Sequence, residues 1–202
     1  MFDHILIARV GWSDHRYQGE DNLVKINDAD YERFNFKTAP DGRCYGWIAG
    51  WPPAQPIPRP WLVVFIARKN STGPSYAIGY YENALLETGY RPSTTGDPVP
   101  YSVHTDARNA HIIPSKNRHL FPVPDAGPEQ QHRPYIYARD VDEPAFSESW
   151  HEPWRINLAR FAESLASGQI PSNPKPSRKR VVPAAHRLVE RRSHMDTDGV
   201  GC

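Results

Sequence analysis

One continuous apolar run stands out in the pattern of hydrophobic and polar positions along this chain of 202 residues. Residues Trp61–Arg68 (WLVVFIAR) are rich in aliphatic and β-branched side chains, which is typical of a strand buried on both faces. The polar segment 69–74 contains glycine and proline and predicts a turn, and Ser75–Asn83 then predicts a second strand. We therefore expect a β-hairpin at the centre of a sheet.

Shorter strand-like segments occur on both sides of this hairpin. The clearest turn between them is Pro40-Asp41-Gly42, where proline presets φ and glycine tolerates positive φ. Further strands are expected at residues 2–10, 32–37, 43–48, 101–105 and 135–138. Six or more short strands with such turns predict a mostly antiparallel sheet, either strongly bent or closed into a small β-barrel.

The hydrophobic period changes towards the C-terminus. Four apolar residues recur at steps of 4, 3 and 4, namely Trp154, Leu158, Phe161 and Leu165. This spacing places them on one face of a helix. We expect the helix to span residues 147–167, to end at a capping Gly168 and to pack against the sheet, which makes the predicted fold class α+β.

Charge divides the chain into two parts. Residues 168–202 carry seven basic and three acidic side chains, which leaves 17 basic and 20 acidic side chains in residues 1–167. We therefore predict one folded domain over 1–167, without bulk attraction for nucleic acid, and a basic Pro/Ser-rich linker and tail over 168–202. Either the tail is a solvated linker, or four of its residues contact phosphate groups without sequence preference, namely Lys175, Arg178, Lys179 and Arg180.

Cysteine usage and the N-terminus bear on the compartment. Cys44 and Cys202 are the two cysteines, and they do not suggest a disulfide framework. The N-terminal segment reads as a strand and not as a signal peptide, and no stretch approaches the roughly 20 apolar residues of a membrane span. We expect a cytoplasmic protein that does not contact membranes.

Motifs for metal, cofactor or nucleophilic chemistry are missing from the sequence. The nine histidines are dispersed without ligand spacing. Neither a phosphate-binding loop, a dinucleotide fingerprint nor a nucleophile elbow occurs. We therefore expect no cofactor, no metal and no catalytic residue.

Aromatic and amide side chains, with one arginine, gather instead at the predicted loops and strand ends. They are Trp12, Tyr17, Gln18, Asn35, Arg43, Tyr45, Trp47, Tyr80, Tyr81 and Asn83. An extruded base can be stacked between aromatic faces and recognised by hydrogen bonds on its edge.

Strand ends of a small barrel meet at its mouth, which narrows the prediction to one concave site. Its walls would be Trp12, Tyr17, Trp47 and Tyr81, with polar contacts from Gln18 and Asn83. Because neighbouring strand residues point to opposite faces, only one of Tyr80 and Tyr81 can line the site. An ordinary strand, with one tyrosine in the core and one on the surface, is the open alternative.

Several short motifs occur in a fixed order over about residues 4–140. They are Gly11-Trp12 with Tyr17-Gln18-Gly19, Asn35-Phe36, Gly42-Arg43 with Tyr45-Gly46, Leu62–Ala67, Gly79-Tyr80-Tyr81 with Asn83-Ala84, and Tyr137-Ala138. Together they resemble the N-terminal module of bacterial proteins that also carry restriction-nuclease-like domains. The resemblance implies a PUA-like β-barrel, related to the EVE and YTH domains, that holds a modified base.

The resemblance also bears on activity. Residues 184–192 resemble the lead-in to the nuclease-like domain; the resemblance ends after Arg192, and we expect that domain to be absent. The implied function is a non-catalytic module that recognises modified DNA in a restriction or phage-defence system, with a possible nuclease partner in trans. A nucleic-acid hydrolase subunit and a protein-interaction module of a defence system remain alternatives.

Overall fold

The computed structural model describes residues 1–14, 17, 30–50, 57–70, 73–91, 99–126, 133–142 and 151–170. The strands are β1 (His4–Arg9), β2 (Arg43–Gly46), β3 (Ile57–Arg68), β4 (Ser75–Arg91), β5 (Val99–Asp106), β6 (Ala110–Ile112) and β7 (Tyr135–Asp140), and the α-helix is α1 (Pro153–Ala166). Short 3₁₀ turns lie at Asp30–Phe34, Ala107–Asn109 and Ser115–Leu120.

All seven strands belong to one sheet. Its order is β2-β5-β4-β3-β1-β7, and β6 pairs with β4 beside β5. Strands β1 and β3 are parallel, and every other pairing among the described strands is antiparallel. The prediction of a mostly antiparallel sheet with one C-terminal helix is confirmed, and the described strands form an open path that ends at β2 and β7.

The predicted central hairpin is the pair β3 and β4, but β4 continues well beyond Asn83 to Arg91. At Asn83 the backbone adopts a φ of 49°, which asparagine tolerates better than most residues. Here three residues of β4 oppose two of β3, so that the alternation of side chains changes phase. The same strand can therefore pair with β6 before the bulge and with β5 after it.

Side chains on the two faces of the sheet form two separate cores. The inner core takes residues from β1 to β5, such as Leu6, Cys44, Phe65, Tyr81 and Val103, and partly buried residues of β6 and β7 pack against it. A side chain at Gly46 on β2 would meet the ring of Phe65 on β3 at 3.2 Å, although β5 and β4 lie between these strands in the sheet order, so the sheet curls over this core. Residues 61–67 are all buried, which confirms that β3 is covered on both faces.

The outer core lies on the other face of the sheet, under α1. Leu158, Phe161 and Leu165 of the helix pack with the aliphatic side chains of β1, β3 and β7. The predicted helical face is confirmed, although α1 begins at Pro153, and residues 147–150 lie outside the described part. Gly168, with a φ of 73°, follows the last turn and donates its N–H to the carbonyl of Leu165.

The strand predicted at residues 32–37 is wrong. Residues Asp30–Phe34 form a 3₁₀ turn, and the side chain of Asn35 is fully buried. Its amide pairs with the backbone of Trp47, a tertiary contact that outweighs the local alternation. Within the described part of the chain, no helix has the length and apolar character needed to cross a membrane.

Candidate functional site

Three of the aromatic residues predicted to wall a base pocket lie in the inner core. Tyr17 and Tyr81 have no exposed surface, and Trp12 is 8% exposed. The ring of Tyr81 packs against Phe36 and Phe65, with centroids 5.4 and 4.9 Å away. These three side chains belong to the same buried cluster, where they contribute to the packing of the core.

A buried arginine fixes the loop that carries Trp12 and Tyr17. The guanidinium carbon of Arg118 lies 5.5 Å from the Trp12 ring centroid and 5.4 Å from that of Tyr17. Its nitrogens donate to the carbonyl oxygens of Ile113 and Ser13. Tyr17 in turn donates its hydroxyl to the Gly11 carbonyl at 2.5 Å. The loop is therefore held in place by hydrogen bonds from the buried side chains of Arg118 and Tyr17 to backbone carbonyl groups.

The predicted pair Asn35 and Trp47 is also held by internal contacts. The Asn35 amide nitrogen donates to the Trp47 carbonyl at 3.2 Å, and its oxygen accepts from the Trp47 N–H at 2.9 Å. The Trp47 ring is half-buried and meets the exposed Tyr31 edge-on, with centroids 5.7 Å apart. Asn35 is thus a structural residue, whereas Trp47 keeps part of its ring accessible.

Tyr45 and Arg43 lie on the outer side of β2, away from the inner core. The Tyr45 hydroxyl donates to Asp41 at 2.5 Å, and its ring centroid is 4.7 Å from that of Tyr101. Burial, followed by the bond to Asp41, raises the pKa of Tyr45. Arg43 is exposed, and its hydrogen bond to Tyr45 raises its pKa.

The last predicted residues are also separated from the inner core. Tyr80 points to the face opposite Tyr81, as the alternation predicted, and stacks on His111 with centroids 4.7 Å apart. Asn83 is exposed at the bulge of β4. Gln18 and the tail residues Lys175, Arg178, Lys179 and Arg180 lie outside the described residues. The described members of the predicted set are therefore distributed over both faces of the sheet.

A cleft of about 610 Å³ opens elsewhere, between the sheet and α1. We call it the arginine cleft, because Arg9 and Arg68 line it at the ends of β1 and β3. Its other lining residues are Ile7, Ile66, Gly73, Pro74, Ser75, Val123, Pro124, Asp125, Ala126, Ile136 and Leu158. None of the aromatic residues singled out from the sequence belongs to this lining.

The parallel pairing of β1 with β3 explains why the two arginines meet. Both strands end at the same edge of the sheet, and Arg9 lies opposite Ile66 in the register. Since side chains alternate along a strand, Arg9 and Arg68 point to the same face as Ile7 and Ile66, whose side chains belong to the outer core. The cleft thus has cations at one end and aliphatic side chains at the other.

Burial and charge make this pair of cations unusual. Burial, and then the charge of Arg68, lower the pKa of Arg9. One Arg9 nitrogen donates to the Ser75 hydroxyl at 3.3 Å. The buried Nε of Arg68 has no hydrogen-bond partner among the residues that the structure describes. Two guanidinium groups and one carboxylate, that of Asp125, line the cleft, so its lining carries a net positive charge that favours an anionic ligand.

A second ionic cluster lies at the opposite end of β1. His4, Asp140 and Asp142 could approach a metal ion together, but Arg59 already lies among them. Its Nη2 donates to both oxygens of Asp140, at 3.0 and 2.8 Å. The His4 Nδ1 is 3.1 Å from the same carboxylate. Both carboxylates therefore already have partners within the protein, Arg59 and His4, and we interpret this cluster as a structural ion network.

The arginine cleft was missed from the sequence, although a signal exists. Strand β1 ends in Ala8-Arg9 and β3 ends in Ala67-Arg68, each after an aliphatic run. In chemical terms the cleft can bind an anionic group at its mouth and an apolar or planar group further in.

No protein-family model, curated protein or solved structure matches this chain.

Proposed function

We propose that this chain is a non-catalytic module that binds nucleic acid, with modified DNA as its target. The observation that carries the proposal is the arginine cleft, in which two guanidinium groups line one volume between the sheet and α1. Guanidinium groups bind phosphate oxygens through paired N–H donors, and such bonds are strong where water is partly excluded. A phosphate between Arg9 and Arg68 would also offset their mutual repulsion.

The role in base recognition rests on the sequence resemblance. Since Trp12, Tyr17 and Tyr81 are packed in the inner core, we do not assign base contact to them. Trp47 and Tyr80 keep part of their rings accessible and are candidates for stacking with bases. The modification would then be recognised by these accessible rings and not inside a barrel mouth.

A PUA-like β-barrel, as in EVE and YTH domains, is the finer fold that we propose. Its support is the inner core, which gathers buried side chains from β1 to β5 and partly buried ones from β6 and β7. A sheet curled this far needs only a contact between its β2 and β7 ends to close. A cytoplasmic place in a restriction or phage-defence system, with a nuclease partner in trans, completes the proposal.

Oligonucleotide binding tests the proposal directly. Fluorescence anisotropy would compare labelled oligonucleotides that carry modified bases with matched unmodified ones. We expect Arg68→Gln to weaken binding by about tenfold, because a charge-assisted hydrogen bond is lost. Lys69→Gln is the matched control, since it removes the same charge from the next residue, which is exposed and does not line the cleft.

The outcomes separate the parts of the proposal. Equal losses in the two variants would mean general attraction by positive charge and would contradict a role for the cleft. Equal affinity for modified and unmodified oligonucleotides would contradict recognition of a modified base. Cleavage of modified DNA by the chain alone with Mg²⁺ would favour the hydrolase alternative.

The basic tail gives an independent test. If its four basic residues contact phosphates, deleting residues 171–202 should weaken binding to all oligonucleotides equally and flatten its salt dependence. A change in the preference for modified sites would contradict this and would make the tail part of the recognition surface.

A further inference from the structure

The arginine cleft has two chemically different ends. At its mouth are the guanidinium groups of Arg9 and Arg68, the Ser75 hydroxyl and the exposed carboxylate of Asp125. Its inner wall is formed by aliphatic side chains, chiefly Ile7, Ile66, Val123, Ile136 and Leu158. A small inorganic anion would use only the first end, so the cleft fits a ligand with an anionic and an apolar part.

The spacing of the two ends follows from strand geometry. Ile7 precedes Arg9 by two residues, and Ile66 precedes Arg68 by two, on the same face of neighbouring strands. Two residues along a strand cover about 6.6 Å, so the arginines and the isoleucines are neighbours on this face of the sheet. A phosphate on the arginines would therefore place a ring attached through a sugar against the aliphatic wall.

The volume of the cleft is large enough for a ligand that has both an anionic and an apolar part. Its volume of about 610 Å³ lies within the range of roughly 300–1,000 Å³ that is common for small-molecule sites. Asp125 also lines the cleft, and its carboxylate would repel a second phosphate but could accept a hydrogen bond from a sugar hydroxyl or an amino group. One phosphate and one base are thus favoured over a polyphosphate.

We propose that the arginine cleft holds a single nucleotide unit, with its phosphate on Arg9 and Arg68 and its base against the aliphatic wall. This assignment rests on the proposed function, because the nucleotide would be one unit of the bound strand. It predicts that a free mononucleotide binds in the same place and competes with the oligonucleotide.

Calorimetric titration of the full chain with three ligands tests the assignment. We expect adenosine 5′-monophosphate to bind at least about tenfold more tightly than ribose 5-phosphate or inorganic phosphate, since only the first has a base whose apolar face can be buried against the wall. Arg68→Gln should weaken the mononucleotide by about tenfold, and Lys69→Gln should leave it unchanged. The mononucleotide should also displace a labelled oligonucleotide.

Failure of this assignment differs from failure of the proposed function. Inorganic phosphate binding as tightly as the mononucleotide would overturn the nucleotide assignment, and so would the absence of mononucleotide binding at millimolar concentration. In both cases, oligonucleotide binding that depends on Arg68 would leave the proposed function standing. Mononucleotide binding that depends on Arg68, without any oligonucleotide binding, would support the nucleotide pocket and overturn the nucleic-acid function.

Discussion

The inner core and the arginine cleft both contain arginine, but in opposite surroundings. In the inner core, Arg118 is fully buried, lies over two aromatic rings and donates to two backbone carbonyls. In the cleft, Arg9 and Arg68 are only partly buried and line an open volume. The first arrangement uses the donors of the cation to hold a loop, and the second presents cations to a space that a ligand can enter.

This difference shows where function should be sought in the fold. The aromatic rings of Trp12, Tyr17 and Tyr81, which the sequence suggested as a binding surface, are packed in the inner core. A curled sheet needs large side chains to fill its interior. The cleft lies on the opposite face, where α1 and segment 121–126 cover the outer core and leave the ends of β1 and β3 open. Changes in the first region should alter stability, and changes in the second should alter binding.

The largest effect is expected from Tyr81→Ala. Truncation of a fully buried aromatic side chain costs about 3–5 kcal/mol, and Tyr81 contacts both Phe36 and Phe65. Chemical denaturation would measure the loss. Tyr80→Ala is the control, because Tyr80 is partly exposed on the other face and should cost only about 1 kcal/mol. A stable Tyr81→Ala variant that has lost oligonucleotide binding would reverse our comparison.

Arg118→Leu should come next. It leaves the carbonyls of Ile113 and Ser13 without this donor inside the protein, which we expect to cost about 2–4 kcal/mol. Arg108→Leu removes an exposed arginine and should change stability by less than about 0.5 kcal/mol. Unchanged thermal stability of Arg118→Leu would mean that the loop of Trp12 and Tyr17 does not depend on this clamp.

Arg68→Gln should have the opposite effect, with little change in stability and a clear loss of ligand affinity. Its effect on the free energy of unfolding should stay within about 0.5 kcal/mol, since the loss of contacts is partly offset by relief of repulsion with Arg9. Its effect on ligand affinity should be much larger. Measuring the melting temperature and the affinity of one preparation separates the two. A large loss of stability with unchanged affinity would make Arg68 a structural residue like Arg118.

Local patterns in the sequence were sufficient for the elements that depend on their own residues. The apolar run of β3, its hairpin with β4 and the face of α1 follow from hydrophobic periodicity. Residues whose state depends on distant partners were not predictable in this way. The turn at Asp30–Phe34 replaced a predicted strand because Asn35 pairs with Trp47, and the bulge at Asn83 moves the end of β4.

The functional site was hidden for a similar reason. Ala-Arg stands at the end of β1 and of β3 and one residue before the end of β7, at Arg9, Arg68 and Arg139, so the motif alone does not define a site. Parallel pairing of β1 and β3 brings the first two together. Because β7 is antiparallel to β1, Arg139 lies at the other end, 2.6 Å from Glu163. Strand direction is a property of the whole fold, and no local pattern in this chain specifies it.

The smallest expected effect concerns Tyr101 on β5, whose hydroxyl, like the donors of Arg118, is used in a hydrogen bond within the protein. Its hydroxyl donates to Glu87 at 3.1 Å. Burial, followed by the negative charge of Glu87, raises the pKa of Tyr101 to about 12. The unfolded chain loses this proton at its ordinary pKa of 10.0, so the folded state holds one more proton between the two values. The stabilising contribution of Tyr101 should therefore be complete below pH 10 and fall as the pH rises towards 12.

Alkaline titration of phenolate absorbance can isolate this group by comparison with Tyr101→Phe. We expect Glu87→Gln to lower the midpoint of Tyr101, because the nearby negative charge is removed while a hydrogen-bond acceptor is kept. An oligonucleotide should leave the midpoint unchanged, since Tyr101 does not line the arginine cleft. A midpoint that moves when the oligonucleotide is added would place the ligand near Tyr101 on β5. The binding region would then not be confined to the arginine cleft.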